Sequence, residues 1–114
     1  MMLNIIKSFV AILKIEIEDL AADIELMMSE CQKKKDAGKI TDYVYLENMA
    51  LYRHELLAVR SFARLLESTE LSNFETLDAL ITYLQESFRE AGYVRAINIC
   101  VERKMKKVAG YVSR

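Results

Sequence analysis

Proline and tryptophan are absent from these 114 residues, histidine occurs once, cysteine twice and glycine three times. Each shortage excludes something. Without proline, no helix is forced to break, and a turn-rich β fold is a poor match. Three isolated glycines build no phosphate-cradling loop. A di-iron bundle pairs a Glu-x-x-His on each of two helices, and here the residue three before His54 is Leu51. The one histidine, His54, is expected on the surface, which leaves no Ser or Cys nucleophile an evident partner base. The formal net charge of −1 provides no global field to recruit nucleic acid or anionic lipid.

Long apolar runs are also lacking. The opening MMLNIIKSFVAIL is interrupted by Lys7 and ended by Lys14 and Glu16, short of the roughly 20 residues a membrane span needs. It also lacks the charge order and cleavage site of a secretory signal. Cys31 and Cys100 sit inside helical patterns, not in a spaced framework, so both are expected as reduced, buried thiols of a cytoplasmic protein.

What is present is apolar periodicity. The chain is 53% hydrophobic and 29% charged, and steps of three and four pick out Leu3, Ile6, Val10, Leu13, Ile17, Leu20, Ile24, Met27 and Cys31. This heptad seam predicts one long helix over about 2–36 with coiled-coil-like packing. Lys33, Lys34 and Lys35 fall in its last turn, opposite the negative end of the helix dipole, and Gly38 is placed to take a left-handed cap. Thr41 is the expected N-cap of a second helix over about 42–67, with Ile40 stapled onto Tyr45. Its stripe is Tyr45, Met49, Tyr52, Leu56, Val59, Ala63 and Leu66. A connection this short makes the two helices antiparallel neighbours.

Ser72 and Glu75 are spaced as a capping box for a third helix, striped by Phe74, Leu77, Ile81, Leu84, Phe88 and Ala91. The pattern restarts out of register after Gly92 as Val94, Ile97, Val101, Met105 and Val108. That phase slip favours a tight turn at Gly92 and two short helices; the alternative is three long helices with a kink at Gly92. The stretch FREAGYVRAI resembles the turn between the two helices of a tetratricopeptide repeat. The resemblance covers one turn, has no repeat around it and implies no functional residues. The expected fold is all-α: an antiparallel bundle in one domain, 1–114, built from a long hairpin and two shorter C-terminal helices.

The same register makes a functional prediction. With Leu66 beside Leu13, the first dozen residues of helix 1 overhang helix 2 by roughly 18 Å. At the other end, residues 26–54 project as a two-helix arm. Apolar surface left uncovered marks association, so the interface candidates are Leu3, Ile6, Phe9 and Val10 on the overhang and Met27, Met28, Cys31, Tyr45 and Met49 on the arm. The expected function is that of a homodimeric adaptor or regulator, without catalytic residues, cofactor or metal.

Two other functions fit less of the sequence. Residues 93–114 carry Arg95, Arg103, Lys104, Lys106, Lys107 and Arg114 against Glu102 alone, which suits a nucleic-acid-associated regulator. The acids of helix 1, Glu16, Glu18, Asp19, Asp23, Glu25 and Glu30, fit heptad flanks, where charge sets register and solubility. An enzyme would need such carboxylates to converge across a dimer. His54 falls opposite its helix's seam and is expected as a solvated surface imidazole.

Overall fold

The heptad seam folds as one uninterrupted rod, α1 (Met2–Asp36), in a computed structural model that describes residues 2–113. Met1 and Arg114 lie outside the described residues. Ile6, Val10, Leu13, Ile17, Ile24 and Cys31 of the seam are buried, while Leu3 and Met27 are exposed. The rod ends in a Schellman motif: the Lys39 amide donates to the Lys34 carbonyl at 2.8 Å, the Gly38 amide donates to that of Lys35 at 3.0 Å, and Gly38 takes φ +71°. Its last turn is basic, as the dipole favours.

The chain reverses into α2 (Asp42–Ser68), whose first turn is capped when the Val44 amide donates to Thr41 Oγ1 at 3.2 Å. Met49, Leu56, Val59 and Leu66 of the expected stripe are buried; Tyr45, Tyr52 and Ala63 are half-buried. Ala58 and Phe62, off that stripe, are fully buried as well. A core face widened on one flank is what a bundle helix needs where a third neighbour packs.

A 3₁₀ turn, Leu71–Asn73, precedes α3 (Leu77–Glu90), and the helix starts later than the Ser72–Glu75 spacing predicts. The cap is Thr76, whose hydroxyl accepts from the Ala79 amide at 3.0 Å; the Ser72 hydroxyl instead donates to Glu70. Leu77, Leu84 and Phe88 of the expected stripe are buried; Leu80 joins them, while Ile81 lies at the edge. Gly92, at φ +79°, stops α3, and α4 (Arg95–Val112) doubles back, so the chain turns at Gly92 and is not a kinked continuous helix. Ile97, Val101, Met105 and Val108 of α4 are buried as its period predicts.

The expected overhang is covered from within. The 3₁₀ turn and α4 both pack on α1. Lys104 and Lys107 reach Glu16, and Tyr111 and Val112 line a groove with Asn4, Ile5 and Ser8, so α4 runs antiparallel to α1. Eighteen residues of α4 span roughly 27 Å, more than the overhang requires. Ile6, Phe9 and Val10 are accordingly buried; only Leu3 of that group is exposed.

The projecting arm stands as expected. The long axis is 56 Å against 26 and 20 Å, and the radius of gyration of 16.6 Å exceeds the roughly 13 Å of a compact chain of this length. No helix among the described residues is long and apolar enough to cross a membrane.

Candidate functional site

Three surfaces bring candidate residues together, and each is positioned by the hairpin.

The first is the arm. Cys31 and Met49 are buried between α1 and α2, Met28 is half-buried, and Met27 is exposed. Tyr45 is half-buried; its hydroxyl donates to Gln32 Oε1 at 2.6 Å, and Lys35 Nζ sits 4.4 Å above its ring. These contacts lock the tip of the arm across its two helices. The apolar side chains left open there are different ones: Leu26, Tyr43, Val44, Leu46 and Leu51 are all exposed, along with Met27, and Leu57 is exposed just below the arm. Spacing from the core seam could not find them, because they lie off it.

The second is the basic helix. Lys104 donates to Glu16 Oε2 at 3.1 Å and Lys107 to Glu16 Oε1 at 2.8 Å. The Lys107 bond, then the Lys104 bond, hold the Glu16 carboxyl below the usual glutamate range. The pair ties α4 to α1 and sets two of the five described cations against a carboxylate of the same chain. Arg95, Arg103 and Lys106 remain exposed. Glu102, the acid within this segment, pairs with Arg89 of α3 at 2.6 Å. Beside these groups, a groove of about 610 Å³ runs between α1 and α4, lined by Ile12, Glu16, Lys106, Lys107, Val108, Gly110 and Tyr111.

The third lies on α1 and α2 where neither α3 nor α4 reaches. A shallow groove of about 270 Å³ is floored by Ala21, Ala22 and Ala63 and rimmed by Glu18, Glu25 and Arg60. Arg60 Nη2 meets Glu25 Oε1 at 2.7 Å, with both side chains more than half exposed.

Two single-residue expectations are corrected. His54 is half-buried, with its Nε2 enclosed and unpaired and its ring edge-on to Tyr93 at 5.7 Å. Tyr93 then meets Phe88 at 5.6 Å and Phe88 meets Phe62 at 5.1 Å, so a row of four rings closes the α3–α4 turn onto α2. The turn brings Tyr93 over a helix flank that periodicity assigns to solvent. Cys100 is exposed, whereas Cys31 is buried.

No group of three or more His, Cys, Asp or Glu among the described residues is placed to hold a metal ion. The described residues define an all-α bundle of four helices with a two-helix extension. No family model, curated protein or solved structure matches the chain.

Proposed function

We propose that this protein works by association, as a homodimeric adaptor or regulator. The observation that carries the reading is the arm: α1 and α2 continue past the α3–α4 turn, and that extension keeps six large apolar side chains, Leu26, Met27, Tyr43, Val44, Leu46 and Leu51, exposed to water. Exposing them has a solvation cost that a second protein surface removes. The burial of Ile6, Phe9 and Val10 within the chain, where the 3₁₀ turn, α3 and α4 pack on α1, removes the overhang as a source of that surface and leaves the hairpin.

Commitment of Lys104 and Lys107 to Glu16 favours association over the nucleic-acid reading, which needs those cations free for phosphate. Sedimentation equilibrium at micromolar concentration tests the proposal. The expected species has twice the chain mass of 13.2 kDa; a single monodisperse 13.2 kDa species overturns it.

A further inference from the structure

We infer that the occupant of the open α1–α2 face is a second copy of this chain, docked about a two-fold axis parallel to the hairpin. The inference rests on the association reading above and names its surface.

The face is sorted by charge. Glu18 and Glu25 rim it from α1 and Arg60 rims it from α2; Arg53, seven residues before Arg60, shares that helix's stripe. Tyr45 meeting Gln32 sets the antiparallel register, so each step up α1 is matched by one down α2. Helical counting then places Arg60 about level with Glu18, and Arg53 about level with Glu25. Further down, the signs mix: Arg64 and Glu67 of α2 both lie near the level of Lys14 on α1, so the sorted charges are those of the central stretch.

This arrangement is self-complementary for one symmetry. A two-fold parallel to the hairpin lays α1 of each copy over α2 of the other without changing height. Glu18 then faces the partner's Arg60, and Glu25 the partner's Arg53, the exposed in-chain Arg60–Glu25 bond being exchanged for the two between copies. A two-fold across the hairpin lays α1 on α1, carboxylate against carboxylate, which is repulsive.

Shape agrees with charge. Alanines 21, 22 and 63 at the centre let helices of two copies approach to the usual 8–10 Å separation. Leu46 and Leu57, exposed at 62% and 54%, lie on the stripe of Arg53 and Arg60 and gain cover. The 27 residues of α2 are about 40 Å long and two helices are about 20 Å wide, so the face offers about 800 Å² per copy, the size of a standard stable interface.

Two charge-reversed variants test this, E18R/E25R and R53E/R60E, each followed by sedimentation equilibrium with circular dichroism to confirm helix content. Each alone repels its own copies at both contacts, so its dimer dissociation constant should rise at least tenfold. An equimolar mixture restores attraction at both contacts and should form a heterodimer. The in-chain Arg60–Glu25 bond cannot produce that rescue, because neither variant chain contains it. Ala22→Trp, at an exposed position, should dissociate the dimer by bulk alone. Variants as dimeric as the wild type, or a mixture that stays monomeric, overturn the face while the association reading stands. A monomeric wild type removes both.

Discussion

Phe62 is the side chain on which the junction of three helices turns. It is fully buried, packs edge-on against Phe88 at 71°, and lies beside Ala58 on a flank of α2 that the heptad stripe leaves out. Phe62→Ala is expected to cost about 3–5 kcal/mol, read from urea unfolding, because a rigid aromatic row cannot collapse into the hole. A loss below about 1 kcal/mol would show that the row is loosely packed. Glu16 makes a different kind of prediction. Its carboxyl is lowered in the folded state by the two lysines, so its contribution is present above the unfolded glutamate value of about 4.3. That contribution is lost as pH falls through the lower folded value. Glu16→Gln should therefore flatten the acid limb of a stability-against-pH curve while leaving its slope near neutrality unchanged.

At the level of elements, the same substitution has opposite signs at two glycines. Gly92 ends α3 at φ +79°, a conformation that costs an L-residue about 1–2 kcal/mol, so Gly92→Ala should lower stability by about 1 kcal/mol although nothing obstructs a Cβ. Gly110 sits inside α4 with equally open space, and Gly110→Ala should raise stability by up to about 1 kcal/mol through helix propensity. Thermal melts of the two variants separate the effects. The helix starts follow a similar logic of local chemistry meeting its surroundings. Thr41 is legible as a cap because a single hydroxyl residue precedes an acidic first turn. At the third helix the Ser72–Glu75 spacing points to an earlier start, but the 3₁₀ turn at 71–73 takes up that stretch and Thr76 holds the cap.

The molecule as a whole is a four-helix half joined to a two-helix half. The first contains nearly all of the fully buried side chains; the second is held by Ile24, Cys31, Met49 and the polar lock around Tyr45. Fewer buried contacts mean cheaper local opening. Backbone amides of 29–48 should exchange faster than those of 56–66 at concentrations where the protein is monomeric. If the proposed dimer forms over the hairpin face, that exchange should slow as concentration rises. Equal protection of both halves in the monomer would contradict the division.

Period, caps and charge balance were enough to read four helices, the long hairpin, the turn at Gly92 and the arm, because those depend on interactions within about one turn of the chain or on a stripe repeated many times. Which flank of each helix meets a neighbour was decided only in three dimensions. Tyr93 reaches His54, Lys104 and Lys107 reach Glu16, and Tyr111 and Val112 reach Asn4, Ile5 and Ser8, all between residues 39 to more than 90 positions apart, and no local pattern encodes where a chain returns. The apolar ladder on α1 specified that something must cover it; only the fold determined that the chain's own 3₁₀ turn and C-terminal helices do so at one end, while the hairpin keeps an open face.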